Sequence, residues 1–197
     1  MRSGGQPRAR RPIVLGLVAV WLAVCAVADA WAQGQSLELG IKAAYLHKLG
    51  PFIAWPESAF PAPTAPVQLC VAGDNPFGAT LTRSVADQRI GNRPIVVRLL
   101  PVIGRGSGCH ILYIAGSSAQ SVAEALSVVA GDPVLAITDS ARDPQVKGII
   151  HFVIHEDRVR FEIDDLAATH SGLGISSKVL DLAVAVRSRT PGAWQER

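Results

Sequence analysis

Four short apolar runs constrain this chain more than any other feature: Val67–Ala72 (VQLCVA), Pro94–Leu100 (PIVVRLL), His110–Ala115 (HILYIA) and Val134–Thr138 (VLAIT). None shows the strict apolar-polar alternation of a strand with one wet face. Apolar runs of this length predict strands covered on both sides, and therefore a sheet held between two layers of helices.

The segments between them read as helices. Ser36 predicts a cap for a helix to about Trp55, with Glu38 in its first turn. Ile41, Ala44, Tyr45, Leu49 and Phe52 follow helical spacing, with a kink expected at Pro51 and a stop at Trp55-Pro56. Asn75-Pro76 reads as the cap and first residue of a helix to about Asp87. Ser118–Ala130 reads as another, with Val122, Leu126 and Val129 inward. Ile149–Ile154 and Val159–Ile163 flank His155-Glu156-Asp157-Arg158 as an antiparallel hairpin does, and helices at Leu166–Ser171 and Ser176–Val186 close the chain. The expected fold class is α/β: a single-domain three-layer sandwich around a mixed sheet of about six strands.

The start of the chain follows a different grammar. Arg2, Arg8, Arg10 and Arg11 precede the apolar run Ile13–Val27, and Ala30-Trp31-Ala32 offers small residues to a signal peptidase. This predicts a secretory signal peptide over residues 1–32, cut after Ala32. The rival reading, a membrane anchor, asks for roughly 20 apolar residues. The expected organisation is a leader (1–32), one domain (33–190) and a frayed tail (191–197). The leader holds four of the 19 Lys+Arg and one of the 16 Asp+Glu, which leaves 15 of each and a neutral mature chain. The basic balance of the whole chain therefore says nothing about nucleic acid, and no basic run with interleaved aromatics remains.

Of three cysteines, Cys25 leaves with the leader. Cys70 and Cys109, without CxxC spacing, read most simply as one disulfide in an oxidising compartment, the alternative being two buried thiols. Closing a loop of about 40 residues is worth about 4 kcal/mol on a chain-entropy argument.

Catalytic chemistry finds little support. His151 and His155 share a strand face, but four residues of strand span about 13 Å, too far for one zinc ion. His110 reads as a structural histidine at a strand start; His47 and His170 stand alone. Ser171-Gly172-Leu173-Gly174-Ile175-Ser176-Ser177 is no nucleophile elbow; it reads as a turn with Ser176 capping the next helix, where its glycines would also suit an anion. Arg160, Glu162 and Asp164 alternate on one strand face, either a ligand-facing strip or a structural ion-pair face. No catalytic residue, metal site or cofactor is assigned.

Read in order, several blocks resemble the YfiR-like family of periplasmic proteins. They are Ile41-Lys42-Ala43-Ala44-Tyr45-Leu46 with Phe52-Ile53-Ala54-Trp55-Pro56, Leu69–Gly78 (LCVAGDNPFG) and Cys109–Ile114 (CHILYI). A closing block joins Gly148-Ile149-Ile150, Arg160–Ile163 (RFEI) and Ser171–Leu180 (SGLGISSKVL). The resemblance spans about residues 38–187. It implies a non-enzymatic regulator that restrains an inner-membrane diguanylate cyclase through its periplasmic region, so that envelope or redox stress raises cyclic-di-GMP and biofilm formation. Cys70 and Cys109 fall on the family's cysteine positions. Lys147-Gly148 stands where Gly-Gly is expected, and Asp165 follows Asp164 where Asn is usual. With one cysteine pair, redox sensing that requires a second pair has no basis here.

The partner implied is the periplasmic region of an inner-membrane protein, a cyclase or a sensor kinase; assembly as a homodimer is left open. Trp55 and Phe60 are candidate anchors for it. The alternative is a small-ligand sensor serving a sensor kinase or transport system, with Arg160, Glu162 and Ser176 as candidate ligand contacts. A hydrolase is the third and poorest reading.

Overall fold

The computed structural model describes residues 34–188 and the backbone of 194–196. The expected leader and cleavage site lie outside the described residues. The chain divides into a small unit, residues 1–38, and a large one, residues 39–197. In the small unit residues 34–38 are helical, and the large unit carries the sheet and both cores.

The fold is the expected three-layer α/β sandwich with a mixed sheet. Helix α1 covers residues 34–48. The strands are β1 (Ile53–Ala54), β2 (Val67–Gly73), β3 (Arg89–Ile90), β4 (Arg93–Leu100), β5 (Ile111–Gly116), β6 (Leu135–Asp139), β7 (Ile150–His155), β8 (Arg158–Asp164), β9 (Gly174–Ile175), β10 (Ala185–Arg187) and β11 (Trp194–Glu196). Helices α2 (Ala79–Val85), α3 (Val122–Val129), α4 (Asp165–His170) and α5 (Ser177–Leu180) complete the set. Among the described residues the main sheet has nine strands in the order β11-β10-β8-β7-β6-β5-β2-β4-β3, and β1 pairs separately with β9. Strands β4, β2, β5, β6 and β7 run parallel, and β8 returns antiparallel to β7.

The apolar runs explain the layers. Along β2, Val67, Leu69 and Val71 enter one core with α1, α2 and α5, whereas Cys70 and Ala72 enter a second core with α3. Strand β5 divides likewise, with Ile111 and Tyr113 on one side and Leu112 and Ile114 on the other. Both faces are covered, so apolar residues occupy consecutive positions.

Several boundaries differ from expectation. The first helix ends at residue 48; Gly50–Phe52 form a 3-10 turn with Pro51 at its start, and Ile53–Ala54 leave as strand β1. Its buried face is also rotated. Lys42, Ala43, Leu46 and Leu49 are buried, while Ile41 and Phe52 are exposed. The helix expected from Asn75 begins at Ala79, because the Asn75 side chain accepts from the Phe77 N–H and makes a turn, and Gly78 caps at φ 52°. Helix α3 starts after Ser121, not Ser118: Ser121 and Glu124 form a reciprocal capping box. The hairpin lies where expected, turning on Glu156 and Asp157, both at positive φ. The last expected helix stops at Leu180, and Ala185–Arg187 instead pair parallel with β8. Trp194–Glu196 pair with β10, which draws three residues of the expected frayed tail into the sheet. The rest of that tail, 191–193 and 197, lies outside the described residues.

Candidate functional site

At the amino ends of the parallel strands, one histidine organises a cluster of rings. His110 lies immediately before β5 and is 4% exposed. The Gln68 N–H donates to its Nδ1 at 3.0 Å, and its Nε2–H donates to the Ala59 carbonyl at 3.0 Å. Only the neutral ring fits both bonds, since Nδ1 must accept and Nε2 must donate. Burial, with a smaller push from the Arg93 charge, holds its pKa below the ordinary 6.5. The structural reading of His110 is therefore the correct one.

Phe60 stacks on this imidazole with ring centres 4.3 Å apart, and the Arg93 guanidinium covers the Phe60 ring at 3.7 Å. Arg93 is fixed by donating to the Ala62 and Ala65 carbonyls at 2.9 and 2.7 Å. Trp55 meets Phe60 and His110 edge-on at 6.4 and 6.5 Å. Trp55 and Phe60 are both half-buried, and the Trp55 Nε1–H is enclosed without an acceptor. An enclosed donor without a partner costs about 1–3 kcal/mol. The expected Cys70–Cys109 disulfide is present, Cα–Cα 5.9 Å, and ties the residue before His110 to β2.

Ser176 lies on the same side of the molecule. Its N–H donates to the Phe52 carbonyl at 3.0 Å, beside the β1–β9 pair that leads into Trp55. It occupies the capping position of α5, but its hydroxyl makes no cap bond, contrary to expectation. It lines an open cavity of about 550 Å³ with Phe52, Ile53, Ala54 and Lys178.

Arg160 and Glu162 are not part of this region. Strand β8 stands three strands from β5 in the sheet, about 14 Å away. Lys147 pairs with Glu162 at 2.5 Å. Asp164 accepts from the Ala167 N–H as the cap of α4 and from Arg187 at 3.0 Å. Arg160 is exposed. Two of the three charges on this face therefore bind neighbouring structural elements.

The carboxyl end of the sheet holds a charged network that the sequence reading missed. Lys42 of α1 meets Asp139 at the end of β6 at 2.6 Å, with both side chains 3% exposed or less. Tyr113 donates to the same carboxylate at 2.9 Å; burial first, then the Asp139 charge, pushes its pKa far up and keeps the phenol protonated. The chain order reverses between β2 and β5, the place where open α/β sheets bind ligands. Here the Asp74 N–H donates to the Gly116 carbonyl at 2.9 Å, and a Cβ on Gly73 would stand 2.3 Å from that oxygen. Backbone meets backbone at the usual ligand site.

His151 is also structural. Thr138 Oγ1 accepts from the Gly148 N–H and shares a hydrogen bond with His151 Nδ1, both at 2.8 Å. Among the described residues no group of three or more His, Cys, Asp or Glu side chains is placed to hold a metal ion. No helix among them is long and apolar enough to cross a membrane.

A model of the YfiR/HmsC-like family matches residues 40–184, from the middle of α1 to the turn before β10. The chain belongs to the YfiR/HmsC-like family. The match covers the ring cluster, both cysteines, the β1–β9 pair and the Lys42 network. No curated protein matches the chain.

Proposed function

We propose that this protein is a periplasmic regulator that binds and restrains an inner-membrane signalling enzyme, a diguanylate cyclase, without catalysing a reaction itself. Family membership over residues 40–184 carries this reading, because the YfiR-like family is regulatory and acts on a membrane partner. The Cys70–Cys109 bond supports an oxidising compartment and export by the leader over residues 1–32. Trp55 and Phe60 are the proposed partner anchors: two half-buried rings on a firm histidine and arginine base. The enclosed Trp55 N–H supports that choice, since the ring gains a bond only by moving, as it would on turning toward an acceptor of the partner.

A restraining protein must bind the inhibited state of its target more tightly than the active one. Deleting the gene should therefore raise cyclic-di-GMP and biofilm formation, and complementation should reverse both. Reduction of Cys70–Cys109 should act in the same direction by lowering the folded fraction. An unchanged cyclic-di-GMP level in the deletion strain, under conditions where its membrane diguanylate cyclases are expressed, would contradict the cyclase assignment. The cavity lined by Phe52, Ser176 and Lys178 favours a second reading, a small-ligand sensor serving a sensor kinase or transport system. Under that reading Ser176→Trp changes signalling output while partner binding persists.

A further inference from the structure

A cavity of about 270 Å³ opens at the amino ends of β6 and β7, apart from the ring cluster. Its size is at the small end of the range for small-molecule sites. The walls come from the end of α3, the start of β6, the approach to β7 and helix α4. Val129 and Val134 line it from the α3 core, and Ile149 and Ala167 from the other, so the cavity lies where the two cores meet. Its apolar lining is aliphatic throughout, without an aromatic ring.

Three polar side chains share that lining, Lys147, His170 and Ser171, and no carboxylate does. Lys147 is the residue that stands where the YfiR-like pattern has glycine, so the cation at this cavity belongs to this chain and not to the pattern. It leaves a firm backbone. The Gly148 N–H donates to Thr138 Oγ1 at 2.8 Å, and a Cβ on Gly148 would stand 2.7 Å from the Ala136 carbonyl oxygen. Glu162 meets the ammonium from outside the lining, and the lysine side chain stays 37% exposed. Ser171 is buried, and its hydroxyl has no partner among the described residues. The exposed His170 ring carries an N–H in either protonation state. The cavity therefore sets hydrogen-bond donors and a positive charge among aliphatic walls.

We infer that this cavity binds a short aliphatic monocarboxylate, its alkyl chain between α3 and α4 and its carboxylate on Lys147 and Ser171. The sign of the charge follows from the lining: a ligand cation would meet Lys147 with no carboxylate beside it to offset the repulsion. An ammonium carries three donors, so its pairing with Glu162 does not exclude a second acceptor. The walls favour an alkyl chain, and each methylene they take from water adds roughly fourfold in affinity until the small volume is full. This site shares no residue with the Trp55 and Phe60 anchors or with the Ser176 cavity, and it does not depend on the identity of the membrane partner.

Calorimetric titration of octanoate into the protein expressed from its full reading frame tests this. Octanoate should bind once per chain with a submillimolar Kd. Octanol and octylamine, of equal chain length, should bind at least about fivefold more weakly, for want of the charge-assisted bond. Hexanoate, shorter by two methylenes, should lose roughly 15-fold. Lys147→Gly, which restores the glycine of the pattern, should bring octanoate to the level of octanol, whereas Lys147→Arg should keep the preference. Ala167→Leu, which fills the cavity from α4, should weaken octanoate and octanol alike. The Lys147 variants change a half-exposed side chain outside both cores, so they decide the matter even where Ala167→Leu does not fold. Absent or unsaturable octanoate binding, or equal affinity for octanoate and octanol, would overturn the inference. So would saturable binding left unchanged in a folded Lys147→Gly or a folded Ala167→Leu protein.

Discussion

At the amino ends of the parallel strands the contacts are ring-based: Phe60 is sandwiched between His110 and the Arg93 guanidinium, Trp55 meets both rings edge-on, and a disulfide fixes the residue before the histidine. At the carboxyl ends they are ionic and enclosed: Lys42, Asp139 and Tyr113 share one carboxylate, and Gly73 lies against Gly116. The usual ligand end of an α/β sheet has thus become a stabilising plug, while the opposite end keeps half-buried rings on a rigid base. This difference is the basis on which the proposed partner contact is placed at the amino end.

Breaking the carboxyl-end plug should have the largest effect. Lys42→Met leaves the Asp139 carboxylate buried beside Tyr113 without its cation, and should cost about 3–5 kcal/mol in urea unfolding. Lys42→Met with Asp139→Asn should recover part of that loss, because the uncompensated charge is gone. A loss under 1 kcal/mol in the single variant would mean that water reaches the site. At the amino end, the Cys70→Ser/Cys109→Ser double variant should lose about 2–4 kcal/mol. Mass spectrometry of the unreduced wild type should find neither Cys70 nor Cys109 alkylatable.

The smaller effect is one of pH. His47, His110 and His151 are all held below the ordinary value of 6.5, in each case chiefly by burial. The unfolded chain therefore takes up these protons first. Stability from this source is full above about pH 6.5 and declines as pH falls below it. Thermal melts between pH 7.5 and 5.5 should show that decline, and His110→Gln should flatten it by removing one of the three groups. A wild-type melting temperature independent of pH over this range would refute the neutral-ring assignment.

How much of this was legible depends on what holds each element in place. Strands β2, β5 and β6 and the β7–β8 hairpin could be read because their own apolar residues specify them. Strands β1, β3, β9 and β10 have two or three residues each and exist through their partners, which local pattern does not reveal. The buried face of α1 was misread for a related reason. Lys42, Leu46 and Leu49 do follow helical spacing, but a lysine on that face reads as solvent-facing until Asp139 is seen opposite it. His110 was legible as structural, yet its stacking on Phe60 depends on a contact 50 residues apart in sequence. Glu162 and Asp164 were legible as a charged face, but not as bonded to Lys147 and Arg187.

The central claim is that the ring cluster at the amino end grips a membrane partner. Its most direct test is the affinity of purified wild-type and Trp55→Ala protein for the isolated periplasmic region of a membrane diguanylate cyclase from the same organism, measured by calorimetry. A central aromatic anchor is worth at least about 2 kcal/mol, so the variant should bind roughly 30-fold more weakly while its near-ultraviolet spectrum still reports a folded protein. Equal affinity for the two folded proteins would contradict the account.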